Sequence, residues 1–171
     1  MGDDAAEDGE SDSSRAELEQ QRDDVRATAV RVIAAVEDEL PGSRRPAQGR
    51  YQGCRSAGVD TFASFQYRLS VRIDGPEIAG TPAAGADRAS LPQLGTRLAQ
   101  EGFNFGAAST GSEGQALQGT SARETGIAIK VTDRPQVGDF VLLELSGPCI
   151  DVPPDDSDLW LRHSEDEPLP G

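Results

Sequence analysis

The sequence predicts an α+β domain, with two helices packed on one face of a roughly five-stranded, mainly antiparallel sheet in the order α-β-β-α-β-β-β. Three observations carry this expectation. Apolar residues recur at helical spacing over 18–40, residues 65–74 alternate strictly, and FVLLEL (140–145) is an almost unbroken apolar run.

A chain of 171 residues is one domain with room for tails. Hydrophobic residues make up 36 % and aromatics 5 %, low for a chain packed throughout, so part of it is expected outside the core. The formal charge is −14, and it sits at the ends. Residues 1–14 carry six acids and no base, residues 151–171 carry seven acids and one base (Arg162), and the stretch between is nearly neutral. The expected organisation is a disordered acidic tether over 1–13, a single α+β domain over 14–152 and an acidic tail over 153–171. Nucleic acid is not an expected partner, because no basic patch, zinc-ligand spacing or aromatic RNA-binding run is present. No run of about 18 apolar residues is available to cross a membrane as a helix. The chain opens Met-Gly-Asp-Asp, without the charged and apolar regions of a signal peptide, so any export signal is expected to precede residue 1.

The first helix is expected to start at Ser14, whose spacing to Glu17 is that of a capping box. Leu18, Val25, Ala29, Val32, Ile33, Val36 and Leu40 form its apolar stripe, with one turn skipped at Gln21/Arg22, and Pro41-Gly42 ends it. GSRRPAQG (42–49) is a loop, and a short strand follows at about 49–55 with Tyr51 and Cys54. In FQYRLSVRID (65–74), Phe65, Tyr67, Leu69, Val71 and Ile73 share one face and Gln66, Arg68, Ser70, Arg72 and Asp74 the other. One buried and one wetter face favours antiparallel pairing. Residues 75–87 read as a flexible linker. A second helix, capped by Asp87 or Ser90, contains Leu91, Leu94, Leu98 and Ala99, accommodates Pro92 in its first turn and stops at Gly102. Phe103 and Phe105 lead into a strand or turn, and 106–114 is a Gly-rich loop. Three strands remain, at about 115–122, 127–132 and 140–147, the last expected to lie centrally because it is the most apolar.

Cys54 and Cys149 are the only cysteines, and both fall at strand edges. They are either a bridge closing a loop of about 100 residues, with the stability such a loop confers, or two reduced thiols acting as small hydrophobes. The segments GRYQGC, FQYRLSVRID, LPQLGTRLAQEGF and LLELSGPC, with the acidic stretch after them, are similar to the soluble domains of actinobacterial predicted lipoproteins of unknown function. The resemblance covers roughly 14–162 and departs at the start, where no lipobox precedes residue 1. It implies a Cys54–Cys149 disulfide, a lipidated cysteine at or just before residue 1, a tether over 2–13, and an extracytoplasmic location on the outer face of the cytoplasmic membrane or in secreted form. Contact with the membrane would run only through that lipid.

No catalytic or metal-binding signature is present, and no cofactor is expected. His163, the one histidine, lies in the acidic tail, GCRSAG (53–58) is not a nucleophile elbow, and PPDDSD (153–158) lacks the glycine and spacing of a calcium loop. Leu159, Trp160 and Leu161 are apolar residues in a polar tail, either docking back on the domain or binding a partner. Gln66, Arg68, Arg72 and Lys130 are expected to share the outer sheet face, either solvated or as a shallow site for an anionic ligand or envelope polymer. The leading expectation is a non-catalytic binding or scaffold domain of the cell envelope, its partner an envelope component or protein. The alternatives are an extracytoplasmic hydrolase using Asp/Glu and Ser within 104–126, and a cytosolic accessory protein that binds through its acidic tails and keeps its thiols free.

Overall fold

The computed structural model describes residues 4–39, 42–58, 61–74, 77–78, 81–82, 90–111, 114–132, 140–153 and 164–167. The helices are α1 (Asp4–Glu39) and α2 (Ser90–Gln100). The strands are β1 (Ser43–Arg44), β2 (Ala47–Gly58), β3 (Thr61–Asp74), β4 (Glu77–Ile78), β5 (Thr81–Pro82), β6 (Phe103–Phe105), β7 (Ser109–Gly111), β8 (Gly114–Ser121), β9 (Gly126–Thr132), β10 (Phe140–Ser146), β11 (Ile150–Asp151) and β12 (Ser164–Glu167).

The main sheet runs β12-β2-β3-β10-β9-β8-β6, with β1 and β11 also on β3 and β7 also on β8. The described pairings are all antiparallel. The α+β class is as expected and the five expected strands are all present. The strand number is corrected, because among the described residues short strands bring the sheet to ten. These additions are two to four residues long, too short to show a period of two, and exist because a neighbouring strand offers unpaired peptide groups. Two of them fall in expected loops, β1 within 42–49 and β7 within 106–114, and β4 and β5 pair with each other as a separate hairpin within 75–87.

The inner face follows from alternation in register. Leu143 on β10 lies between Val71 and Ile129, and Ile129 is opposite Leu117, so four strands put apolar side chains in one row. Above them pack Val25, Ala29, Val32, Ile33 and Val36 of α1 and Leu91, Leu94 and Leu98 of α2, all buried in one cluster. β10 is central, with β3 on one side and β9 on the other, as its composition predicts. Ala99 is exposed, α2 ends at Gln100, and the turn after it carries Gly102, whose φ of 92° only glycine adopts without strain.

One expectation about the ends is corrected. α1 begins at Asp4, not Ser14, so residues 4–13 are helical rather than a disordered tether. Ala5 and Ala6 are good helix formers, and an acid such as Asp4 is a residue type favoured at the start of a helix. The capping box is therefore not formed. Ser13 Oγ donates to Glu17 Oε1 at 3.3 Å, and Ser14 Oγ donates to the Asp151 carbonyl at 3.0 Å. Within the acidic tail, Ser164–Glu167 pairs with Ala47–Arg50 as an edge strand. Leu40, Pro41, Asp87, Leu159, Trp160, Leu161 and His163 lie outside the described residues. Among the described residues no helix is long and apolar enough to cross a membrane.

A groove beside the long helix as candidate functional site

The strands are unequal in length. β9 starts at Gly126 and β10 ends at Ser146, opposite Gly126 and Arg68, whereas the β2–β3 hairpin continues past Phe65 to Thr61. Under the N-terminal half of α1 the sheet is therefore narrower. Its floor is completed by segment 147–152, which leaves β10 and rejoins β3 as β11. The space between α1, this segment and the β8–β9 turn is a groove of about 870 Å³. Ala16, Val25, Phe103, Pro148 and Ile150 supply apolar lining. Gln20, Thr28, Ser121 and Thr125 supply amide and hydroxyl groups, and Glu17, Asp24, Arg31, Glu101 and Arg123 the charges.

Gln21 holds the Pro148 side of the groove in place. It fills the skipped turn of the α1 stripe and is buried. Its Oε1 accepts the Tyr67 N–H at 2.6 Å and its Nε2 donates to the Pro148 carbonyl at 2.6 Å. One amide thus satisfies the peptide groups left over where the β3–β10 ladder stops, next to the bond from Gly147 N–H to the Tyr67 carbonyl at 3.0 Å. A Cβ at Gly147 would overlap the Gln21 side chain, so glycine is required for the approach. The break at Gln21 was visible in the sequence, but a polar residue in an apolar stripe does not disclose its partners.

Cys54 and Cys149 form a disulfide, with Cα atoms 6.2 Å apart. The bridge joins the irregular part of β2, just past its register shift at Gly53, to segment 147–152. Arg55 and Asp151 add an exposed ion pair at 3.2 Å across the same junction. Beneath it, Leu18, Phe65 and Val152 form a small second core with Tyr51, Phe62 and Ile150 against them.

The four residues expected on the outer face do share it. Arg72 and Lys130 both lie opposite Leu142, Arg68 lies opposite Ser146, and Gln66 Oε1 is 3.9 Å from the Cys149 sulfur. Arg68 pairs with Glu144 at 3.1 Å and donates to Gln52 Oε1 at 3.1 Å. Arg72 pairs with Asp74 at 2.6 Å and stacks its guanidinium over the Phe140 ring at 3.9 Å. Burial pushes the Asp74 carboxyl up, but hydrogen bonds and charge from Arg45 and Arg72 more than offset this and hold it below its ordinary value. Arg68 and Arg72 are thus each engaged by a carboxylate of the same sheet, while Arg50, opposite Arg68, and Lys130 are exposed. A shallower cleft of about 450 Å³ runs beside the Arg68–Glu144 pair, past Gln118, Thr120 and Asn104.

Within 104–126, Ser121 Oγ accepts the N–H groups of Arg123 at 3.3 Å and Thr125 at 3.2 Å, so this hydroxyl shapes the β8–β9 turn. Among the described residues no group of three His, Cys, Asp or Glu side chains is placed to hold a metal ion. No protein-family model, curated protein or solved structure matches the chain.

Proposed function

We propose that the protein is a non-catalytic, extracytoplasmic binding domain of the cell envelope, and that the groove beside α1 is where it binds. The observation that carries this reading is the Cys54–Cys149 bridge, which fixes the segment whose Pro148 and Ile150 line the groove. Disulfides persist in oxidising compartments and are rare in the cytosol. The groove has the size of a small-molecule site, about 300–1,000 Å³, and the mixture of apolar lining with a few polar groups that such sites use. The resemblance to actinobacterial lipoprotein domains adds an N-terminal lipid as tether in the natural form. The cytosolic accessory reading needs free thiols, which the bridge disfavours, and the hydrolase reading needs a base beside a free hydroxyl, which Ser121 does not favour.

The test is the intact mass of protein recovered from its native cells, alkylated under denaturing conditions with and without prior reduction. Two alkyl groups added only after reduction support the reading. Two added without reductant sink it and return the cytosolic reading to the front.

A further inference from the structure

The shallower cleft lies on the face of the sheet turned away from the helices, and strand register builds it. Arg68, Ser146, Gly126, Thr120 and Asn104 stand in one row across β3, β10, β9, β8 and β6, and Ser70, Glu144, Ala128 and Gln118 stand in the next. Small residues on β9 leave a low floor between two taller walls. In the second row the walls are Glu144 and Gln118, two strand spacings apart, about 10 Å. In the first row Arg68 and Thr120 are three spacings apart, about 14 Å, with only Ser146 and Gly126 between them.

The two walls present different groups. On one side Arg68 is fixed by Glu144 at 3.1 Å and by Gln52 Oε1 at 3.1 Å, so a guanidinium and a carboxylate stand side by side as a set donor and acceptor. On the other side are the Asn104, Gln118 and Thr120 side chains, with Ser146 on the floor, and none of these four is hydrogen-bonded to another described side chain or peptide group.

These groups narrow the occupant. Arg68 is the one cation of the lining and Glu144 the one carboxylate, and they are each other's partner. An anion there meets Glu144, and a cation meets Arg68. Ala128 supplies the one apolar side chain on this face of the lining, because Ile127 is buried in the core, so no broad apolar surface is present for a lipid or an aromatic base. A peptide strand adds at a sheet edge, whereas β9 and β10 are already paired on both sides. A neutral ring rimmed with hydroxyls matches what remains. Each hydroxyl both donates and accepts, and the C–H face of such a ring lies flat over Ala128 and Gly126.

We propose that this cleft holds an uncharged sugar ring, one unit of a neutral glycan. The Arg68–Glu144 pair takes its hydroxyls from one side, and the Gln118 and Asn104 amides take them from the other. The site is separate from the groove beside α1 and does not depend on that reading.

The experiment is binding of the oxidised full chain to an array that carries neutral glycans and glycans with uronate, sialate or phosphate groups, followed by calorimetric titration with the glycan retained most strongly. Neutral glycans are expected to be retained and acidic ones not. Gln118→Ala and Asn104→Ala should each weaken binding by about fivefold, the loss of one hydrogen bond. Both side chains are exposed, so these changes leave the core intact. Ala128→Trp fills the floor and should weaken binding by about tenfold or more. Preference for acidic glycans, neutral binding unchanged by all three substitutions, or no glycan retained overturns the proposal. Binding lost in Ala16→Trp, in the groove, and kept in Ala128→Trp also overturns it, and moves the glycan to the groove.

Discussion

The two halves of α1 rest on different foundations. The C-terminal half, from Val25 to Val36, lies over the full width of the sheet and shares one continuous core with α2. Around the N-terminal half the second core has three buried side chains, Leu18, Phe65 and Val152, beside an irregular part of β2. There the structure is held by a covalent bridge, by the Gln21 amide and by hydrogen bonds from Ser14 and Tyr51 that cross between helix and sheet. Where apolar area runs out, specific bonds take over, and the open groove starts there and reaches along α1 to Arg31.

Four measurements break or sharpen this contrast. Leu143→Ala, in the middle of the four-strand row, should destabilise the domain by about 4 kcal/mol in urea unfolding, because the sites around it cannot collapse. Leu18→Ala removes the same atoms from the small second core and should cost only about 2–3 kcal/mol, since the partly buried Tyr51, Phe62 and Ile150 around it have room to relax. Equal losses at the two sites would erase the distinction. Replacing both cysteines by serine should cost about 3 kcal/mol, below the chain-entropy figure of about 4.7 for a loop of this length. The accompanying loss of hydrogen-exchange protection should be concentrated at 147–152. A uniform loss would mean that the bridge stabilises only by constraining the unfolded chain.

Gln21→Ala leaves the Tyr67 N–H and the Pro148 carbonyl without their partner and should cost about 2 kcal/mol. Gly147→Ala should cost a similar amount in the wild-type background and much less beside Gln21→Ala, because the overlap it creates is with that side chain. Additive losses would show that the two do not share one site.

The smallest effect belongs to Asp74, on the outer face. Its folded pKa is lowered, so its contribution is present above the unfolded value of about 3.9 and is lost as pH falls through the folded one. Asp74→Asn should remove that acid-side slope and change stability near neutral pH by less than about 1 kcal/mol, as partly exposed ion pairs do. The same slope in both proteins would place the titration elsewhere.

Much of the wide end was legible. Its elements are long and periodic, so the stripe of α1, the alternation of β3 and β9 and the apolar run of β10 each identify their own buried face. The groove end was not. Asp4–Ser13 has no apolar period to announce a helix, β11 and β12 are two and four residues long, and Gln21 looked like a gap in a pattern when it is a clamp. The expected outer-face residues do lie together, but only the contacts show Arg68 and Arg72 already engaged.

By itself the sequence determined the α+β class, the inner and outer faces of the long strands and the confinement of charge to the ends, because those depend on residues within a few positions of one another. The tertiary structure decided the rest. It set the order of the strands, the closeness of Cys54 and Cys149, the partners of the Gln21 amide and the groove itself. Each of these depends on where unequal strands stop once paired, and no local period in the chain encodes a length mismatch between elements eighty residues apart.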